Sequence, residues 1–462
     1  MKDMISGNIY KTFFLFSIPM ILSSVLSQAF GIINTSMAGI FLGSKGLAAL
    51  GASSAVIDVM NSIFLGFSVG VGVYMADFFG AKDYKKYKNL VLSNLLLLVG
   101  VSVLCAGMAM LFHRQILDFL NIEDVIYVDS RIYFFMLLIN MPIALSNHYW
   151  VYASNAMGIT TFPMVVSVIS SVINVGVNIL AITVLDAGVF GIGVATVLAS
   201  TVAFVCYFIR FRQYFRQMGV EKEPFHFEWR YIRMSLPSSL PNSAQQFSMY
   251  LAGLLIAPIR NGLGYMAIAA VAIVSRLQSL LNMFYGSCAR TVCNYIPQCV
   301  GAGQPQKIKK AIRVSFLQGF TFLLPLILLL WCIPYTVANL FVDPDADRQV
   351  VEYVVDYIRI FLPFVCIHAV TTIFHSIFRG VKRNGHLFIS TTICSAVGII
   401  AAMILCPIMG INGYHLQAII GWSVECVYIF VVYLTGIWIP KELRPILSKK
   451  AITNENKSIE RV

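Results

Sequence analysis

Residues 19–39 read PMILSSVLSQAFGIINTSMAG, and residues 237–253 read PSSLPNSAQQFSMYLAG. Pro19 and Gln28 of the first stretch recur as Pro237 and Gln246 of the second, at a spacing of 218. Farther on the spacing settles at 221 and pairs Ala48-Ala49 with Ala269-Ala270, Ser54 with Ser275, Asn61 with Asn282, and Gly80-Ala81 with Gly301-Ala302. Lys86 and Lys88 meet Lys307 and Lys309 in the same register, and Pro142 meets Pro363. Recurring Ala and Gly would mean little in so apolar a chain. Recurring Pro, Asn and Lys in one register point to a duplicated unit.

Composition defines the unit. Hydrophobic residues make up 58% of the 462 and charged residues only 12%, about half the share usual in a soluble domain. A helical span needs about 20 mainly apolar residues. The first half offers 13–41, 47–74, 90–112, 132–152, 162–184 and 189–209, and the second offers 232–259, 266–289, 312–332, 354–377, 387–406 and 413–438. None alternates with the period of two that a membrane β-barrel requires. The expectation is an all-α membrane protein of twelve transmembrane helices in two six-helix lobes. Its divisions are 1–209 for the first lobe, 210–231 for a cytoplasmic linker, 232–438 for the second lobe and 439–462 for a cytoplasmic tail.

Lys and Arg set the orientation. With both termini cytoplasmic, the inner segments hold most of the 33 basic residues, including Lys82, Lys85, Lys86, Lys88, Lys307, Lys309, Lys310 and Arg313. The outer connections are acidic, through Asp118, Glu123, Asp124 and Asp129 in one and Asp343, Asp345, Asp347 and Glu352 in another. An even number of spans per copy gives both copies the same direction, so they are parallel repeats. The net charge of +12 is then a topology signal rather than a nucleic-acid footprint, because it is spread over short loops. No small-residue cleavage site follows the first apolar run, so that span is expected to be retained. The ten cysteines, among them Cys105, Cys206, Cys394, Cys406 and Cys426, lack paired spacing and read as small apolar side chains.

Four elements together resemble the multidrug and toxic compound extrusion family, known as MATE. They are the pattern Ile18-Pro19-Met20 through Gln28 to Asn34 and Gly39, then Leu47-Ala48-Ala49, Gly80-Ala81 before a basic loop, and Asn174 and Asn178 followed by Gly191 through Thr196. The resemblance runs from Pro19 to about Gly436, and its specificity lies in order, spacing and repetition. It implies a V-shaped pair of lobes around a central cavity that opens alternately to either side. It also implies export of drug-like, often cationic compounds in exchange for protons or sodium. No cofactor or metal is implied, and the expected partners are small organic substrates and membrane lipids around a monomer in the cytoplasmic membrane.

Candidate residues follow. Pro19, Pro142, Pro237 and Pro363 lie inside apolar spans, where each removes a backbone donor; they are hinges or static bends. Asn34, Asn178 and Thr196 fall at one depth, about 10 Å below the outer surface, with Asn174 one turn deeper than Asn178. Converging oxygens there are either a cation site, as the resemblance implies, or hydrogen-bonded glue between helices. Many MATE relatives carry Asp at the position of Asn34, and often another at that of Asn178. Without a carboxylate this cluster cannot take up a proton. The family's seventh-span Glu is also missing, with Gln245 or Gln246 near its place.

Ionisable residues inside spans are expensive and point to function. Near mid-span they are Asp58, Arg276, His368, His375 and Glu425. His368, Thr372, His375 and Arg379 recur at steps of four, three and four, and so share one helical face. That face must look into a cavity or into the lobe interior. His368 lies near a carboxylate position of the family, and an imidazole suits proton exchange. Glu425 is a proton carrier, a counter-ion for a cationic substrate, or the partner of Arg276. Asp58 either titrates or bonds across helices beside Asn61. A flippase of lipid-linked sugars would need many central Arg and Lys, where only Arg276 is found. A membrane-embedded enzyme would need a tight catalytic cluster, where the seven histidines are dispersed.

Overall fold

The computed structural model describes residues 4–5, 7–119, 122, 124–341 and 348–447. Glu123, Asp343, Asp345 and Asp347 of the outer connections, and the tail from 448 to 462, lie outside the described residues. Among the described residues there are twelve long helices. They are α1 (Ile9–Gly43), α2 (Ala48–Gly80), α3 (Tyr84–Leu111), α4 (Asp124–Ala156), α5 (Thr161–Thr183) and α6 (Gly188–Gln217). After these come α7 (Trp229–Asn261), α8 (Tyr265–Gly301), α9 (Lys307–Cys332), α10 (Arg348–Gly380), α11 (Gly385–Met409) and α12 (Ile411–Thr435). No strand occurs among the described residues.

Eleven of the twelve are both long and apolar enough to cross a membrane. The other is α7, which at 33 residues is long enough but carries Ser235, Ser238, Ser239, Asn242, Ser243, Gln245 and Gln246. The helices also outrun the apolar windows. Because α6 continues to Gln217 and α7 opens at Trp229, the non-helical link is shorter than the polar stretch from 210 to 231 suggests.

Local chemistry explains the breaks. Gly43 adopts φ 68° and ψ −170°, a backbone state open to glycine, and there α1 gives way to α2. Between α2 and α3 the turn passes through Lys82 at φ 58°. Asp83 then caps α3 by accepting from the Lys86 amide at 3.1 Å. The corresponding turn of the second copy has Gly303 at φ 68°, again 221 residues on. The two copies thus share a left-handed turn residue as well as sequence. Pro363 sits where α10 changes its winding, from a π-turn over Tyr357–Phe361 through a 3-10 turn over Leu362–Phe364 to regular helix from Val365. Pro19, Pro142 and Pro237 lie within continuous helix.

The chain divides into two compact units. Among the described residues, the first comprises those of Pro19–Ser243, and the second comprises those up to Ile18 together with those from Ala244 to Leu447. In the first unit, buried Tyr87, Phe134, Tyr149, Trp150 and Phe211 form the centre of the core. The two tyrosine hydroxyls are satisfied, since Tyr87 donates to the Ala153 carbonyl at 2.9 Å and Tyr149 to that of Val91 at 2.8 Å. Here α2 meets the leading half of α7 through Gly66 and Gly70. A Cβ on Gly70 would lie 2.4 Å from Ser239 Cα, so the two backbones touch, as small residues four apart allow in membrane helices. In the second unit, Tyr285, Val351, Tyr357 and Phe361 are buried in a core shared by α8, α10 and α12.

Candidate functional site

The polar cluster of the first unit is built from amides on α1 and α5. Asn34 Nδ2 donates to Asn174 Oδ1 at 2.7 Å, and Asn178 Nδ2 reaches Asn174 Oδ1 at 3.2 Å and Asn34 Oδ1 at 3.3 Å. Asn174 and Asn178 stand one turn apart on α5, so both meet the single residue offered by α1. The oxygens of Asn34 and Asn174 are therefore aimed at amide hydrogens. Only Asn178 Oδ1, buried and unpartnered, offers a free acceptor. Thr196 donates to the Ile192 carbonyl of its own helix at 3.0 Å, an internal bond that needs no ligand. The set holds no carboxylate, and its amides largely satisfy one another. It fits an interhelical clasp better than a cation cage.

Asp58 lies exposed on α2. Its neighbour Asn61 keeps a buried Oδ1 without a partner. Arg276 is likewise exposed on α8.

The second unit gathers the ionisable residues of α10. The face carrying His368, His375 and Arg379 looks into the unit, and each residue meets a different neighbour. His368 Nδ1 pairs with the Tyr285 hydroxyl of α8 at 2.7 Å, and its ring packs 4.8 Å from that of Trp422 on α12. His375 Nε2 lies 3.2 Å from Glu425 Oε1 on α12 and 2.9 Å from Ser390 Oγ on α11. Arg379 donates to Gln245 Oε1 on α7 at 2.9 Å, and Gln245 Nε2 donates on to Thr391 Oγ1 at 2.9 Å. One face of α10 thereby reaches side chains on α7, α8, α11 and α12.

The tautomer at the centre follows from the hydrogen-bond inventory. Opposite an ionised Glu425 carboxylate, which only accepts, His375 Nε2 is the donor. The Ser390 hydroxyl, 3.0 Å from the Leu387 carbonyl, can donate there and leave its oxygen to accept from the same ring nitrogen. The Cys394 thiol also bonds that carboxylate. Glu425 and His375 are 5% and 13% exposed as side chains, so this is a desolvated acid–imidazole pair. Its partner is His375 rather than Arg276.

Tyr285, Ser390, Thr391 and Cys394 belong to the constellation without having drawn notice in the sequence. Ser390 and Cys394 are one turn apart on α11, a spacing that would have placed them on one face. Nothing in the sequence said that α11 turns this face toward α10 and α12.

The likeness to known proteins agrees with this architecture. The MatE family model matches residues 19–180 and 237–404, covering most of both copies. The probable multidrug resistance protein YoeA of Bacillus subtilis is 23% identical over 72% of this chain and 74% of its own. The multidrug export protein MepA of Staphylococcus aureus is 21% identical over 92% of this chain and 94% of its own. Among solved structures, a mutant of the Vibrio cholerae MATE transporter VcmN superimposes with a TM-score of 0.84 at 18% identity, over 93% of this chain and 97% of that one. A transporter of the MOP superfamily from Pyrococcus furiosus gives 0.81 at 19% identity, over 94% and 97%. With both copies matched and the bilobal helical fold shared, this chain belongs to the MATE family of multidrug efflux transporters and is a membrane transporter, not an enzyme.

Proposed function

We propose that the protein is a secondary active antiporter that exports drug-like, often cationic organic compounds by alternating access, with protons as the coupling ion. The observation that carries this reading is the enclosed pair of His375 and Glu425, 3.2 Å apart. The asparagine cluster of the first unit, by contrast, holds no group to titrate. A proton on the free ring nitrogen of His375 makes the pair imidazolium and carboxylate, neutral in sum. Its loss leaves one net negative charge in a desolvated lobe interior. That charge favours an organic cation over an empty site, so proton and substrate compete for one state of the lobe. His368, one hydrogen bond from Tyr285, supplies a second imidazole on the same helical face.

In this reading the functional repeats are 1–209 and 232–438, linked through 210–231, with both termini and the 439–462 tail in the cytoplasm. The chain acts as a monomer in the cytoplasmic membrane among its lipids, and the basic inner loops support that orientation. Pro19, Pro142, Pro237 and Pro363 are where its spans bend.

The test is efflux of a fluorescent organic cation from proteoliposomes under an imposed proton or sodium gradient. Proton-driven movement that is lost in Glu425→Gln or His375→Ala is expected. Sodium-driven movement lost instead in Asn34→Ala or Asn178→Ala would return coupling to the first unit and overturn the assignment.

A further inference from the structure

Two lysines near the starts of the third spans of the two copies hold matching segments. Lys88, near the start of α3, is only 7% exposed. Its Nζ donates to the carbonyls of Val220 at 2.8 Å, Glu223 at 2.7 Å and Glu221 at 3.4 Å. An ammonium has three N–H donors, and these three oxygens account for them. The carbonyls lie in the turns that follow α6, whose C-terminal dipole favours a cation, and that of Val220 also accepts from the Glu223 amide at 3.3 Å. Lys85 adds an ion pair to the Glu223 side chain at 2.7 Å. In the second copy Lys307, at the start of α9, donates to the Ile5 carbonyl at 2.7 Å. In sequence register Lys307 answers Lys86, one helical face away from Lys88, and it opens the equivalent third span.

What the lysines hold corresponds as well. Residues 218–228 lead into α7 and residues up to Asn8 lead into α1, and these are the first spans of the two copies. The holding is reciprocal. A lysine of the first copy fixes the leader of the second, and a lysine of the second copy fixes the leader of the first.

The compact units follow the same exchange, with the described residues up to Ile18 grouped in the second unit and the first extending through Ser243. Each leading half-helix is also packed where it is held. Phe13 meets Tyr295 with ring centroids 5.1 Å apart, and Lys310 lies 5.6 Å over the Tyr10 ring. In the first unit Ser235 donates to Asn94 Oδ1 and Ser243 to the Ile63 carbonyl, both at 2.8 Å. The changeover points, Ile18–Pro19 in α1 and Ser243–Ala244 in α7, coincide with or closely follow the prolines.

We propose that Lys88 and Lys307 are paired positioning residues of the transport cycle. Each latches the leader of the other copy's first span, so that movement bends α1 at Pro19 and α7 near Pro237 and Pro241 instead of peeling the leaders away. The proposal rests on the alternating-access reading above. A lost latch lets the leader fray, and displacement that should reach the rest of the span is dissipated at its end. Turnover then falls while substrate affinity, set elsewhere, stays.

The experiment compares the full-length wild type with Lys88→Met and Lys307→Met, which keep an apolar stem, and with Lys88→Arg and Lys307→Arg, which keep N–H donors. Amide hydrogen exchange is read at residues 219–228 and 4–12, and ethidium efflux is read in proteoliposomes. Exchange should accelerate on the order of tenfold in the leader that has lost its lysine. Turnover should drop severalfold at unchanged apparent KM, and the Arg variants should recover both. Faster exchange with wild-type turnover would overturn the proposal, as would unchanged exchange. A joint collapse of turnover and KM that Arg fails to restore would do the same. If the wild type moved no ethidium, the export reading would fall instead, and the exchange step, which needs no substrate, would still decide whether the latches exist.

Discussion

Replacing Gly70 with alanine tests the contact that joins α2 to the leading half of α7. The added Cβ would stand 2.4 Å from Ser239 Cα, 2.7 Å from Ser239 N and 2.9 Å from Ser238 C. Carbon atoms in ordinary contact lie about 3.5–4.0 Å apart, so the helices must separate by roughly 1 Å. The obstructing atoms are backbone, and no rotamer change can relieve them. Overpacking of this kind costs ~1–3 kcal/mol, against a gain of ~1 kcal/mol from alanine's helix propensity. Separation also stretches the 2.8 Å bond from Ser243 to the Ile63 carbonyl, so the net expectation is a loss of on the order of 1–2 kcal/mol. The control is Gly100→Ala, where an added Cβ meets nothing within 4 Å; it should be neutral or slightly stabilising. Thermal melting in detergent reads both. Gly66→Ala should resemble Gly70→Ala, and the double variant should cost less than the sum, because one displacement relieves both clashes. If Gly70→Ala melts at or above the wild type, alongside the control, the backbones are not in contact there and the account of α7 fails.

The pairing at Glu425 makes a stability prediction separate from transport. His375→Ala leaves a buried carboxylate with only Cys394, at a cost on the order of 2–3 kcal/mol. Glu425→Gln should cost less, since a glutamine oxygen still accepts from His375 Nε2; melting temperatures in the reverse order would refute the assigned donor. At the loop between α6 and α7, the hydrogen bond and charge of Lys85 hold the Glu223 carboxyl below its ordinary range. A lowered carboxylate stabilises the fold above its unfolded-state pKa, and that contribution is lost as pH falls through the folded value. Lys85→Ala should therefore differ from wild type at neutral pH and converge with it in acid. Because the pair is exposed, the difference should be small and should fade in high salt; a difference that grew on acidification would reverse the sign.

The sequence determined a good deal by itself. Membrane solvation forces the backbone to satisfy its own hydrogen bonds, so long apolar windows could only be helices. The repeat of Pro, Asn and Lys at fixed spacing disclosed two copies before any contact was known. Helical periodicity placed His368, His375 and Arg379 on one face, because that depends on neighbours three and four residues away. What the sequence left open were relations between segments far apart in the chain. Glu425 had Arg276 and the histidines as candidate partners, and rotation of α10 and α12 about their axes chose His375. Asn34, Asn174 and Asn178 could have turned their oxygens toward an ion or toward one another, and the approach of α1 to α5 turned them toward one another. The lobe boundary, drawn through the polar stretch between 210 and 231, gives no hint that the leading halves of α1 and α7 group with the opposite copy. Among the contacts of those halves are Lys88 and Lys307 reaching backbone carbonyls, and a carbonyl has no residue identity that a sequence can display. Local periodicity and solvent preference are written along a chain, whereas the partner of a buried charge is fixed only when helices pack.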